Sequence, residues 1–220
     1  MRRNFDMQLS ELNVKLVEMC AFVEGAVNDA KTALLTQDKM LAMDVIKRDN
    51  TTNQMEKAIE AQCMQIIMRQ QPVAKDFRQV TAILKIITDL ERIGDQAEDI
   101  AEIVLMLEQK PFYKTLEHIP RMFEETVAML KQAIDSFVIS NKELAEDVRR
   151  RDDIIDNLFD VVKAETISYI RKDVNNAEQA IDLLQVAKYL ERIGDHAENI
   201  AEWVVYTHTG VHIGFNELKN

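Results

Sequence analysis

Apolar residues recur along the first segment at Leu9, Leu12, Leu16, Met19, Val23, Ala26, Ala30 and Ala33, a spacing of 3,4,3,4,3,4,3. That heptad seam predicts a long helix packed against other helices. Asp38 is placed to cap a second helix, with Leu41, Val45, Met55, Ile59, Cys63 and Ile66 along it. The polar stretch Arg48-Asp49-Asn50-Thr51-Thr52-Asn53 interrupts those apolar positions, and a kink is expected there. Arg69-Gln70-Gln71 ends the helix, and Pro72 suits the first turn of a third, where a missing N–H costs nothing. The third helix is expected to run through Val80, Ile83, Ile87 and Leu90 to about Glu108. Pro111 and Pro120 punctuate the middle of the chain. A fourth helix carries Phe123, Val127, Leu130, Ile134 and Phe137. A fifth spans about Lys142 to Arg171, a break falls at Asp173-Val174-Asn175-Asn176, and a sixth runs from Ala177 to about Thr207.

A repeat organises these helices. Residues 90–102 read LERIGDQAEDIAE and residues 190–202 read LERIGDHAENIAE, identical at eleven of thirteen positions and offset by one hundred. A weaker echo relates 44–49 to 147–152. The expected fold is all-α: two tandem antiparallel three-helix bundles related by the internal repeat. The expected division is residues 1–110, residues 111–210 and a short C-terminal tail, 211–220, which shows no periodicity.

Composition narrows the alternatives. Five Gly and three Pro among 220 residues cannot supply the turns that a sandwich, barrel or propeller needs every 8–12 residues or so. The net charge of −11 disfavours unaided nucleic-acid binding and direct docking on anionic lipid, both of which need Lys and Arg. No apolar run approaches the roughly 18–20 residues of a membrane span. The start, MRRNFDMQLSEL, lacks the apolar core of a signal peptide. Cys20 and Cys63 form no CxxC pair and are expected to be reduced core residues of a cytoplasmic protein.

The chemistry sits in the repeat. Acidic residues fall at 91, 95, 98 and 102 and again at 191, 195, 198 and 202, a 4,3,4 spacing that lines one helix face. The apolar seam Leu90, Gly94, Ala97 and Ala101 lies one residue earlier, so the acidic stripe borders the core. Like charges at i,i+4 destabilise a helix by about 0.2–0.5 kcal/mol per pair. A merely solvated face is free to differ between copies, yet these four acidic positions match letter for letter. Further oxygens stand on the second helix (Asp49, Asn53, Glu56, Glu60) and on the fifth (Asp152, Asp153, Asp156, Asp160). Facing helices that present Asp, Glu and Asn oxygens suit hard or borderline divalent cations. The expected ligands are Glu91, Asp95, Asp49 and Asn53 in the first copy, and Glu191, Asp195, Asp152 and Asp156 in the second. Glu98, Asp99, Glu198 and Asn199 are weaker candidates. The first copy has fewer carboxylates, so weaker binding is expected there.

Other residues have plainer readings. Gly94 and Gly194 sit mid-helix at a cost of about 1 kcal/mol relative to Ala, which points to a close helix approach or to room beside the carboxylates. Arg92 is the only base nearby and is assigned to another face. His196 is not expected to be a ligand, because Gln96 fills its place in the other copy. His118, His208 and His212 have no evident partners. Trp203 reads as a packing anchor and the eleven Met as core filler.

The paired LERIGD…IAE blocks resemble the PhoU family of bacterial phosphate-signalling regulators. The family's E(D)xxxD motif matches Glu91–Asp95 and Glu191–Asp195. RQQPVAKDFR at 69–78 resembles the family's link between the second and third helices, and AIDLLQVAKYLERIGDHAENIAE at 180–202 its last helix. The resemblance implies metal clusters on the motif surfaces, with iron, zinc, manganese and magnesium all eligible, and homodimers. It implies a negative regulator of the phosphate-starvation regulon and of phosphate uptake, not an enzyme. Its implied partners are a phosphate ABC transporter, through a PstB-type ATPase, and a PhoR-type sensor histidine kinase, with the membrane reached only through them. Two alternatives are a metal-free helical scaffold and a di-metal carboxylate enzyme. The latter is opposed by the lack of any Glu three residues before a His.

Overall fold

The computed structural model describes residues 2–107, 111–112 and 116–211, and the side chains from residue 5 onward. Among these residues there are six long helices: α1 (Arg2–Thr36), α2 (Lys39–Gln70), α3 (Lys75–Met106), α4 (His118–Val138), α5 (Lys142–Lys172) and α6 (Ala177–Thr209), with a single 3₁₀ turn at Val174–Asn176. No strand occurs among them. The α1 seam is buried at Leu12, Leu16, Met19, Val23, Ala26, Ala30 and Ala33, and Leu9 is half-buried.

Each repeat is an up-down-up bundle, α1–α3 and α4–α6. The two bundles join along α3 with α6 and α1 with α4. Both pairs run antiparallel. Arg78 Nε, near the start of α3, donates to the Thr207 carbonyl near the end of α6 (3.4 Å), while Asp89 meets His196 (2.9 Å). On the other pair, Lys31 bonds Glu124 at 2.9 Å. Buried residues from all six helices belong to one continuous apolar core. Cys20 and Cys63 are free thiols inside it, and burial pushes each up to about 12, so both are inert at neutral pH.

Two expectations about turns change. Helix α2 runs unbroken through 48–53, where Thr52 is buried along with the apolar positions. Pro72 lies outside α3, which begins at Lys75 after Ala74. The turn is made by Gln71 and Ala74, both with φ of 47°. Gln37 and Ser140 likewise take left-handed backbone (φ 54° and 55°), so the tight turns form without glycine. Pro120 does fall in a first helical turn, that of α4.

The Met side chains divide. Met19, Met122 and Met129 are buried, but Met7, Met40, Met43, Met64, Met68 and Met106 are exposed. Trp203 is half-buried against the core and meets Tyr206 edge-on at 5.4 Å.

Asp38 caps α2 as its position suggested, its carboxylate accepting from the Met40 and Leu41 amides. Asp38→Ala is expected to cost about 1 kcal/mol. Chemical denaturation checks this, and an unchanged midpoint would remove the cap from the account.

Candidate metal centre

Helix α3 lays its acidic stripe against α2, and α6 lays its own against α5. The core seam fixes this orientation: Leu90, Gly94, Ala97 and Ala101 are buried, as are Leu190, Gly194, Ala197 and Ala201. The carboxylates one residue further on emerge in the groove beside the neighbouring helix.

In the first repeat Asp49 on α2 is raised by burial and then by the neighbouring Asp95 of α3. Asn53 Nδ2 donates to Asp49 Oδ2 at 2.7 Å. Glu91, Asp95 and Glu98 face this pair, and Glu56 joins them, accepting from Thr88 Oγ1 at 3.3 Å. Burial, then the charges of Asp49, Glu102, Asp95 and Asp99, push Glu98 up to about 7. Asp49 and Glu91 are raised by burial and by Asp95.

The second repeat has the same plan. Asp152 faces Asp195 and Glu198, and Asp156 faces Glu191. Burial, then Glu198, Asp156, Asp195 and Asp153, push Asp152 up to about 7. Asp156 and Asp195 are raised by burial and by Glu191, and Glu198 chiefly by burial. The weaker candidates separate. Glu98 and Glu198 belong to the strips. Asp99 is raised by burial and Glu102 but is drawn down by Arg192 of α6, towards the joint between the bundles. Asn199 is exposed.

Three observations bear on whether a cation fits. One carboxylate oxygen at matching places in the two repeats, Asp49 Oδ1 and Asp152 Oδ1, is buried without a hydrogen-bond partner. Gly194 leaves room beside Asp152, whereas Gly94 faces Thr52. A Cβ on Gly194 would stand 3.0 Å from Asp152 Oδ1 and 3.0 Å from Ile155 Cδ1, and one on Gly94 3.1 Å from Thr52 Cγ2. The donors are carboxylate and amide oxygens throughout, the set preferred by hard cations. Against this, among the described residues no three His, Cys, Asp or Glu side chains converge into a ready-made cage. The donor chemistry of the two open strips suits a cation, but the described side chains are not gathered into a cage.

Several partners were hidden from one-dimensional reading. Arg92 is not directed away: it bonds Asp95 at 3.1 Å and lies 3.5 Å from Glu91. Lys188 pairs with Glu191, and Arg149 with Glu198 (3.2 Å) and Glu202 (3.6 Å). His196 pairs with Asp89 across the bundle joint, His118 with Glu165 at 3.4 Å and His208 with Ser140 at 3.2 Å. His212 and the tail beyond Val211 lie outside the described residues. The i+3 spacing flagged Arg92 and Lys188 in principle. Nothing along the chain signals Arg149, because its partners lie on another helix.

The glycines give a direct check. Ala gains helix propensity of about 1 kcal/mol over Gly. At Gly94 the added carbon meets one side-chain methyl, and Gly94→Ala is expected to be near neutral. At Gly194 it meets a carboxylate and an Ile, and Gly194→Ala is expected to lose about 1–3 kcal/mol to crowding. Equal melting shifts for the two variants would contradict this.

A second check is pH. Raised carboxylates bind protons more tightly folded than unfolded, so stability is fully present below their unfolded values near 4 and falls as pH rises through about 7. Metal-free protein is thus expected to melt higher at about pH 5 than at about pH 8. Melts in chelator across that window test the sign.

The strips can be set beside known proteins. The PhoU domain family model matches twice, over residues 16–104 and 119–204. A phosphate-specific transport system accessory protein PhoU homolog of Clostridium acetobutylicum is 35% identical over 217 residues, covering 98% of this chain and 99% of its own. The Escherichia coli phosphate-specific transport system accessory protein PhoU is 33% identical over 220 residues, covering 97% and 90%. The crystal structure of PhoU from Pseudomonas aeruginosa superposes with a TM-score of 0.90 at 34% identity, covering 94% of this chain and all of that one. The phosphate transport system regulatory protein PhoU from Streptococcus pneumoniae gives 0.87 at 28% identity, covering 95% and 99%. With two domain matches, near-complete coverage and a shared six-helix architecture, this chain is a member of the PhoU family of phosphate-transport accessory proteins.

Proposed function

We propose that this protein is a regulatory accessory of a phosphate-specific transport system that represses phosphate-starvation genes and restrains phosphate uptake when phosphate is plentiful. The observation that carries the reading is the near full-length match to relatives named as accessory proteins of that system. It acts as an adaptor, docking on a PstB-type transporter ATPase and a PhoR-type sensor kinase, and works as a homodimer in the cytoplasm. Its two acidic strips hold divalent or transition cations. Asp49, Asn53, Glu91 and Asp95 are the ligands in the first, with Glu98 in reserve. Asp152, Asp156, Glu191 and Asp195 are the ligands in the second. The orphaned oxygens of Asp49 and Asp152 support this assignment.

When bound, a cation supplies positive charge between helices. Asp49 and Asp152 contribute from α2 and α5, and Asp95 and Asp195 from α3 and α6, so closure of each strip ties two helices together. Deleting the gene tests the regulatory reading: phosphate-regulated expression and uptake should both rise in high phosphate. If neither changes, the reading fails. A pull-down from cells in high and low phosphate tests the kinase and ATPase as partners.

A metal-free scaffold is the second reading, favoured by the lack of a preformed cage among the described residues. Elemental analysis of protein purified without tag or chelator separates the two. Bound Mn, Fe or Zn supports the first, and metal-free protein without a thermal shift on adding them supports the second.

A further inference from the structure

Among the differences between the two strips, one at the end away from Glu91 and Glu191 changes the sign of a side chain's effect. At the Glu91 and Glu191 end each has a base from its own helix: Arg92 in the first, which reaches Glu91 and also Asp95, and Lys188 in the second, which pairs with Glu191. Both are pairs within one helix, and about half of each basic side chain is exposed. Such pairs hold weakly and swing into solvent at little cost. The opposite ends are not alike. Arg149 comes from the facing helix, α5, and crosses the groove to Glu198 at 3.2 Å and Glu202 at 3.6 Å on α6. Two-thirds of its side chain is buried, and Glu202 is more buried still. The matching position in the first repeat is Ile46, which packs partly against the core. There Glu98 has no basic side chain within ion-pair distance among the described residues. Glu98 is raised by burial and by Asp49, Glu102, Asp95 and Asp99, while at Glu198 burial also raises the carboxyl but Arg149 offsets part of the rise.

We propose that Arg149 is a built-in counter-cation that closes the second strip at its Glu198 end, so that the first strip, open at Glu98, holds a divalent cation more tightly than the second. This inference rests on the cation-binding reading above. It reverses the order expected from counting carboxylates, because a guanidinium held between α5 and α6 occupies the groove and repels a second positive charge, whereas Ile46 does neither. Arg149 does not ligate. It sets how much uncompensated negative charge each repeat offers.

Mn(II) binding to the full chain tests it, read by isothermal titration and by the fraction of free Mn(II) in electron paramagnetic resonance. Asp195→Asn leaves only the first strip intact and Asp95→Asn only the second. The first of these variants should bind Mn(II) about tenfold more tightly than the other. Adding Arg149→Gln to Asp95→Asn should recover about that factor, while Arg149→Lys, which keeps the charge, should recover little. Circular dichroism confirms that each variant remains helical. If wild-type protein binds Mn(II) but the two strips bind equally and Arg149→Gln changes nothing, the role given to Arg149 is wrong and the cation sites stand. If wild-type protein binds no Mn(II), both the sites and this inference fall.

Discussion

The wild-type protein is expected to gain thermal stability from Mn(II) and the double variant Asp95→Asn/Asp195→Asn to gain none, while the variant is expected to be the more stable of the two when both are metal-free. The two expectations share one cause. Without a cation, each strip crowds carboxylates around its central Asp, and burial with like charge raises Asp49, Glu98, Asp152 and Glu198. Asn keeps the size of Asp and removes one charge from the middle of each strip, which relieves the repulsion. With a cation the sign reverses, because a central ligand is gone. A ligand at a hundred times its dissociation constant stabilises by about 2.7 kcal/mol per site. For a domain of this size that is a shift of about 5–11 °C in Tm. Paired melts with Mn(II) and with chelator read both halves. A variant that still gains the full shift, or that melts lower than wild type in chelator, removes Asp95 and Asp195 from the centre of the sites.

Phe123→Ala is expected to be the most damaging single truncation. Phe123 is 1% exposed and heads the largest fully buried side chains. Removing it costs about 3–5 kcal/mol through lost burial and the cavity left behind, a fall of roughly 6–20 °C in Tm. The shape of the transition matters as much as its midpoint. Phe123 lies on α4, in the second repeat, but the core it belongs to runs through all six helices. Both repeats should therefore melt together and at the lower temperature. Calorimetry showing two transitions, with one left at the wild-type temperature, would mean that the repeats are energetically separate despite the shared core.

The two outcomes are also linked. The grooves exist because buried seams on α3 and α6 set those helices down with one face inward. A cavity that loosens α4 against α5 and α6 would let the second strip open. Cation affinity of Phe123→Ala should fall more at the second strip than at the first.

Much of this molecule was legible along the chain, for a physical reason. Helical periodicity is local. The seam from Leu12 to Ala33, the cap at Asp38 and the acidic stripe at 91, 95, 98 and 102 are each fixed by spacing on one helix, so sequence alone determined the helices, their buried faces and the two repeats. It also placed carboxylates from α2 and α5 in the right register to meet those of α3 and α6, because a repeat shows its pairing twice. What it could not reach are relations between helices. Thr52 interrupts the apolar pattern of α2, yet it is buried against Gly94, where a Cβ would stand 3.1 Å from its methyl. Pro72 looked like a helix start until Gln71 and Ala74 took the left-handed turn. His196 looked idle until the antiparallel joint set Asp89 beside it. Arg149 sits far in sequence from Glu198 and Glu202, and only the packing of α5 on α6 brings its charge to them. Local spacing fixed which groups line a strip. The tertiary contacts decided how much of each strip's charge is already balanced, because charge balance depends on distance through space and not on distance along the chain.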